Sequence, residues 1–252
     1  MKIIGHKGGG AAALENSRAG LQHALELELD GVEIDVWPTA DREFVLFHDA
    51  DVTRMTGRLG QTMHLTSAQL RALEVGGLAP ASSSDRLLLL QEALEVLGGR
   101  VELFLEVKRT RHELDHYTWL EARLTEVLQE AGALSWTTVV SFDHRSLLHL
   151  RERCVGLRTG MLYAGEWLNL WQEIGALKPA SLLPHWYQTT PALVSEAHAN
   201  DLSIYPWVVN SDEWMEAFVG MGVDGIITDR PEALLAICPR PSRSAARRGS
   251  EG

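Results

Sequence analysis

The sequence is poor in cysteine, in positive charge and in long apolar runs, and each shortage removes a class of protein. Its two cysteines, Cys154 and Cys238, lie far apart with no metal-type partner beside them, which leaves no disulfide framework and no thiolate metal site. Both are expected to be free thiols, as in a reducing compartment. No uncharged stretch reaches transmembrane length, and Met1–Gly5, ahead of the first motif, is too short for an apolar export signal. A cytoplasmic protein without stable membrane association is the expectation. Lysine and arginine number 23 against 34 aspartates and glutamates, a net charge of −11, and a nucleic-acid binder would need the opposite sign. Residues 240–252 hold four arginines and one glutamate, so the rest of the chain carries 19 basic against 33 acidic residues, or −14. An acidic enzyme with an anionic substrate must then concentrate its positive charge locally.

What is present is an α/β composition. The 252 residues, 45% apolar with 22 glycines, suffice for one large domain around a single core. Short apolar or β-branched runs alternate with longer helical stretches, the sequence form of βα units on a parallel sheet. Eight strands are predicted: Lys2–Gly5, Gly31–Val36, Val101–Val107, Thr137–Ser141, Leu157–Tyr163, Ala180–Leu183, Leu202–Trp207 and Asp224–Thr228. Eight suggests closure into a (β/α)8 TIM barrel over residues 1–239, with an open doubly wound sheet as the alternative. Ser17–Leu29, Leu87–Leu97 and His112–Ala131 carry apolar residues at three- and four-residue spacing, as covering helices should. Between Asp49 and about Asp85, glycines, Pro80 and a serine run replace a clean helix after the second strand. This reads as an insertion, with a short helix Ser67–Leu73 capped by Thr66 or Ser67. Insertions on barrel rims often serve the active site, although a passive elaboration has the same signature. Residues 240–252 have almost no apolar content, and a mobile tail without a catalytic role is expected.

The candidate chemistry sits at the predicted strand ends. His6-Lys7-Gly8 follows the first strand and opens a glycine-rich turn ahead of Glu15-Asn16-Ser17. In Gly31-Val32-Glu33-Ile34-Asp35-Val36 the two carboxylates alternate on an otherwise apolar strand, so both share one face. Two inward carboxylates are costly unless a cation or a basic cluster neutralises them; an outward, salt-bridged face is the plain alternative. The run Phe44–Phe47 delivers His48-Asp49, and the next strand ends in Glu106 and Lys108, again on one face. Glu33, Asp35 and Glu106 offer hard oxygen ligands that suit Mg²⁺ or Ca²⁺ better than zinc. Lys108 supplies a point charge for phosphate, or else an internal partner for Glu106.

His6-Lys7-Gly8, Glu15-Asn16-Ser17, Glu33-x-Asp35, His48-Asp49 and Glu106-x-Lys108, taken in order, resemble the glycerophosphodiester phosphodiesterase family. Ser141-Phe142-Asp143, Trp207-Val208-Val209-Asn210 and Gly222 through Pro231 resemble its later signatures. The resemblance, spanning about residues 3 to 237, implies a (β/α)8 barrel with a segment inserted after the second strand. It implies metal-dependent hydrolysis of glycerophosphodiesters, such as glycerophosphocholine or glycerophosphoethanolamine, to glycerol 3-phosphate and an alcohol. By the same resemblance His6 and His48 are the general acid and base, and Glu33, Asp35 and Glu106 hold a divalent cation. Lys7, Lys108, Glu15, Asn16 and Trp207 complete the substrate and phosphate site. The expected partner is this small molecule, with no nucleic acid, and a homodimer is one candidate assembly.

Two features depart from the family. Lys7 stands where the family usually has arginine, which keeps the charge but loses the planar fork that grips two phosphate oxygens. The usual Pro-Thr ahead of the helix after the insertion is also missing near Asp85–Leu90. Two further functions therefore stay in view: a related phospholipase-type enzyme acting on lipid phosphodiesters, and a catalytically idle phosphate-binding barrel. The first would want an apolar face, and Trp167, Leu168 and Trp171 are read as core at helical spacing.

Overall fold

The computed structural model describes residues 1–76, 86–109 and 119–239. The chain begins with β1 (Lys2–Gly5), α1 (Arg18–Glu26), β2 (Gly31–Pro38) and β3 (Phe44–Leu46). The short helices α2 (Thr53–Thr56) and α3 (Ser67–Arg71) precede α4 (Leu90–Leu97), β4 (Glu102–Val107) and α5 (Leu120–Glu130). Strict alternation then runs through β5 (Thr137–Ser141), α6 (His144–Arg153), β6 (Arg158–Tyr163), α7 (Leu170–Leu177), β7 (Ser181–Pro184) and α8 (Pro191–Ala199). It closes with β8 (Ser203–Ile204), α9 (Asp212–Met221), β9 (Gly225–Thr228) and α10 (Pro231–Ile237).

Eight of these strands pair in parallel in the order β8-β7-β6-β5-β4-β2-β1-β9, and they are the eight that the sequence predicts. The last predicted strand but one is cut from Leu202–Trp207 to Ser203–Ile204, because the seam with β9 is irregular. There the Asp224 carboxylate accepts from Ile204 N at 2.8 Å, and Pro206, which has no N–H, only accepts, from Ile227 N at 3.1 Å. Asp224 N to Ile204 O at 3.1 Å and Val209 N to Ile227 O at 3.0 Å complete the closure. The ninth strand, β3, runs antiparallel on the end of β2 and carries the apolar run that leads to His48.

Period-two alternation divides each strand between two cores. Ile4, Phe104, Val140, Leu162, Leu183, Tyr205 and Ile227 fill the barrel, one from each of seven strands or their ends. Their sequence neighbours, such as Ile3, Val32, Leu105, Val139 and Ile226, face the helices. Leu90, Ala93, Leu94 and Leu97 form the buried stripe of α4, which Gly98 ends in the left-handed region at φ 52°. The helix predicted from His112 is described from Leu120 onward, its first part lying outside the described residues, as do residues 77–85 of the insertion and the tail 240–252.

The insertion has packing of its own. Val52, Met55, Met63, Leu70 and Val75 pack with Trp37, Val45, Phe47 and Leu87 into a small separate core. The Thr66 side chain accepts from Gln69 N while Gln69 accepts from Thr66 N, so of the two expected caps Thr66 is the one used, and it forms a capping box. This platform fixes α2 over the rim of the barrel.

Candidate active site

At the C-terminal ends of the strands the register brings the carboxylates together. Asp35 of β2 stands opposite Glu106 of β4, and Glu33 lies two residues back on the same face, opposite Phe104. All three are buried, and each offers an oxygen within 4.8 Å of the others. Lys108, reaching back from the end of β4, places its Nζ 2.9 Å from Asp35 Oδ1 and 2.6 Å from Glu106 Oε1. The internal ion pair is therefore the state of this lysine here, and a phosphate contact would require its ammonium to turn from one of the two carboxylates.

Three buried carboxylates around one ammonium leave about two negative charges to offset. Burial holds Glu33 well above the usual carboxylate range, with repulsion from Asp35 and Glu106 adding to it. Glu106 is pushed up to about 7 by burial and by Asp35, against the pull of Lys108. Asp35 goes the other way: burial opposes its charge, but Lys108, His48 and a bond from Asn16 outweigh it. Glu33 Oε1 is buried without a hydrogen-bond partner among the described residues. An oxygen-only donor set with a charge deficit near two and an orphaned carboxylate oxygen fits a hard divalent cation.

The first loop is folded over β2 to serve this cluster. Lys7 N donates to Glu33 Oε2 at 3.0 Å, and Gly8 N to Glu33 O at 2.7 Å. A Cβ on Gly5 would lie 2.3 Å from Gly8 O, so this turn admits only glycine there. Asn16, at φ 53°, donates to Asp35 Oδ2 at 2.8 Å and accepts from Asp35 N at 3.0 Å. It is buried and holds Asp35 in place, so its expected part in the substrate site takes the form of positioning a carboxylate.

Both candidate histidines are held by an aspartate. His6 Nδ1 lies 2.6 Å from Asp229 Oδ1, and Asp229 in turn accepts from Asn210 Nδ2 at 2.7 Å. His48 Nδ1 lies 2.7 Å from Asp49 Oδ1, and Arg54 Nε donates to Asp49 Oδ2 at 2.5 Å. Asp229 and Asp49 both lie below the usual range, because hydrogen bonds from His6 and from Arg54 overcome their burial. An ionised carboxylate only accepts, so each Nδ1 carries the proton and each Nε2 is turned to the other side. For His6 that side is Glu33, with Nε2 3.9 Å from Glu33 Oε2.

Lys7 Nζ lies 3.3 Å from Glu15 Oε2, and the Arg54 guanidinium grips the same carboxylate with Nη2 and Nη1. Glu15 thus joins the first loop to the insertion. Trp207 stands on the far side of the mouth, its Nε1 donating to Leu183 O at 2.7 Å and its ring edge-on to Phe142 at 5.4 Å. Asp229 and Asn210 lie inside recognised motifs, but nothing local pairs them with His6. Arg54 carries no motif and owes its place to the small core of the insertion. The expectation for Trp167 and Leu168 is corrected: α7 begins only at Leu170, so Trp167 is 40% exposed and Leu168 fully so. Only Trp171 packs against the main core.

Residues 6–233 match the sequence profile of the glycerophosphoryl diester phosphodiesterase family. A glycerophosphodiester phosphodiesterase of Caldanaerobacter subterraneus is 30% identical over 234 residues, covering 92% of this chain and 96% of its own. A crystal structure of a putative glycerophosphoryl diester phosphodiesterase from Silicibacter pomeroyi superimposes with a TM-score of 0.88 at 26% identity, over 94% of this chain and 92% of that one. A phosphodiesterase from Oleispira antarctica, solved with its product sn-glycerol-3-phosphate, shares the fold with a TM-score of 0.86 at 23% identity, over 95% and 97%.

Proposed function

Because the chain belongs to the glycerophosphoryl diester phosphodiesterase family, whose members are phosphoric diester hydrolases, we propose that it cleaves deacylated phospholipid head groups to glycerol 3-phosphate and an alcohol. Glycerophosphocholine and glycerophosphoethanolamine are the substrates to try first. The observation that carries this reading is the buried trio Glu33, Asp35 and Glu106 beside two imidazoles, each anchored through Nδ1 on an aspartate.

Glu33, Asp35 and Glu106 would hold Mg²⁺ or Ca²⁺. Such a cation, when bound, supplies Lewis-acid polarisation of a phosphoryl oxygen. His6 and His48 move the protons: one neutral ring takes at Nε2 the proton of the attacking water, and the other, entering the step protonated on both nitrogens, gives its Nε2 proton to the departing alcohol oxygen. Asp229 and Asp49 hold both rings by Nδ1, so that Nε2 is the atom that takes or gives the proton and the imidazolium of the acid is stabilised. Lys7 and Lys108 meet the non-bridging oxygens, Glu15 and Asn16 hold Lys7 and Asp35 in position, and Trp207 borders the alcohol side. The free Cys154 and Cys238 fit a cytoplasmic setting, and among the described residues no helix is long and apolar enough to cross a membrane.

Release of glycerol 3-phosphate from glycerophosphocholine and glycerophosphoethanolamine, with EDTA and after restoring Mg²⁺ or Ca²⁺, tests the proposal. Cation-dependent release that disappears in Glu33→Ala is expected. No release across a panel of glycerophosphodiesters with any of these cations would sink it.

A further inference from the structure

The insertion meets the proposed site at Arg54, on α2, whose guanidinium is divided between two carboxylates of different loops. Nε donates to Asp49 Oδ2 at 2.5 Å, and Nη2 and Nη1 grip the two oxygens of Glu15. Nη1 also donates to Met55 Sδ at 3.2 Å. These bonds take four of the five N–H groups, so the residue, although half-exposed, keeps no fork for a phosphate.

Each carboxylate holds a group of the proposed site. Asp49 Oδ1 meets His48 Nδ1 at 2.7 Å, and Glu15 Oε2 meets Lys7 Nζ at 3.3 Å. Both carboxylates lie below the usual range: burial opposes their charge, but other groups, foremost the hydrogen bonds from Arg54, outweigh it. Among the described residues His48 and Arg54 are the only partners of the Asp49 carboxylate. A ring cannot fix the group that is to fix it, so the anchor of Asp49 is Arg54. Arg54 is anchored in turn. Met55 beside it is buried in the small core of the insertion, Thr62 Oγ1 donates to Asp49 O at 3.0 Å, and Val52 N and Thr62 N close the loop on Gly60 O and Ala50 O, both at 2.9 Å. His6 is oriented by a separate chain, Asp229 and then Asn210, which contains no residue of the insertion.

We propose that Arg54 is a positioning residue, which orients His48 through Asp49 and Lys7 through Glu15. It makes the packing of the insertion a condition of proton transfer at His48 and leaves His6 untouched. Arg54 itself meets neither phosphate nor the moving proton. The inference rests on the phosphodiesterase reading for the reaction that His48 serves, and on the hydrogen bonds alone for the orientation.

A double-mutant cycle separates this role from a general loss of structure. With glycerophosphocholine or glycerophosphoethanolamine as substrate, Arg54→Ala should lower kcat by about ten- to a hundredfold, while the Lys7 arm appears as a raised KM. In an Asp49→Ala background the same substitution should change kcat by less than about twofold, whereas in an Asn210→Ala background, which loosens Asp229 and His6, it should keep its full effect. Arg54→Lys, which has no planar fork to span both carboxylates, should fall between wild type and Arg54→Ala. Equal losses of kcat in the two backgrounds, or a lysine variant equal to wild type, would overturn the proposal. Long-range proton–nitrogen NMR of the imidazoles, at about pH 8 where unperturbed rings are neutral, needs no turnover. It should find the His48 proton on Nδ1 in wild type and moved toward Nε2 in Arg54→Ala, with His6 unchanged. A His48 ring indifferent to Arg54→Ala, or both rings changing alike, would overturn the proposal as well. If no glycerophosphodiester is cleaved but His48 alone responds, the phosphodiesterase reading fails and the positioning role stands.

Discussion

On the rim from β9 through β1 and β2 to β4 stand Asp229, His6, Lys7, Glu33, Asp35, Glu106 and Lys108, whereas the rim from β5 to β8 carries Phe142, Tyr163, Trp167, Tyr187 and Trp207. Below the rim the two sides are alike, since both feed the same apolar barrel interior. They part only where the strands end. The reason is the cost of burying charge: an isolated carboxylate inside a barrel is prohibitive, but three that share one lysine leave about two charges for the proposed cation to offset, so the charges gather on adjoining strands. The opposite side is richer in rings, held by packing such as Trp207 on Phe142 and on His185, and its charges Asp143, Arg145 and Glu173 stand apart from the buried trio. On the proposed function, the contrast separates turnover, which needs charge, from selectivity, which needs shape.

The largest effect should come from the charged side and be blind to the alcohol. His6→Ala, and Asp229→Asn through the lost orientation of the ring, should each lower kcat by about 10²–10⁴. Glycerol 3-phosphate release measured on two substrates with different alcohols checks this. A loss confined to one alcohol would break the division of labour.

A second effect is one of stability and belongs to the same side. The folded-state value of about 7 for Glu106 lies above its ordinary 4.5, and burial raises Glu33 as well. The contribution of such groups is full below the ordinary value and is lost as pH rises through the folded one. Asp49 and Asp229 are shifted down, so their contribution is lost only on acidification below the usual carboxylate range. In EDTA the melting temperature should therefore fall between pH 5 and 8. Added Mg²⁺ or Ca²⁺, which binds the ionised trio, should raise it more at pH 8 than at pH 5.5. Scanning calorimetry giving the same cation shift at both pH values would contradict the assignment of these carboxylates.

The smallest effect sharpens the comparison at its edge. Lys7→Arg restores a fork that grips phosphate at two points, worth roughly 1–2 kcal/mol of transition-state binding. Turnover should hold or rise by up to about tenfold in steady-state assays. A collapse would mean that the bond from Lys7 to Glu15, and through it to Arg54, matters more than its charge toward phosphate.

Much of the fold was legible because a strand's alternation is local. The eight parallel strands, the shared face of Glu33 and Asp35 and the capped helix at Thr66 follow from neighbours two to four residues apart. The antiparallel β3 was visible as an apolar run but not as a strand, since a run alone does not tell its partner. Trp167 and Leu168 misled for a related reason: their spacing to Trp171 is helical, but the helix starts after them.

By itself, the sequence determined that the candidate residues fall at strand ends and that Glu33 and Asp35 share a face, because period and motif are properties of neighbours. Only the tertiary structure decided who serves whom. His6 meets Asp229 across 223 residues, Arg54 reaches Glu15 from the insertion, and the register of β2 on β4 sets Asp35 against Glu106. Those pairings arise when the sheet closes and the small core of the insertion seats α2, and no local pattern encodes either event.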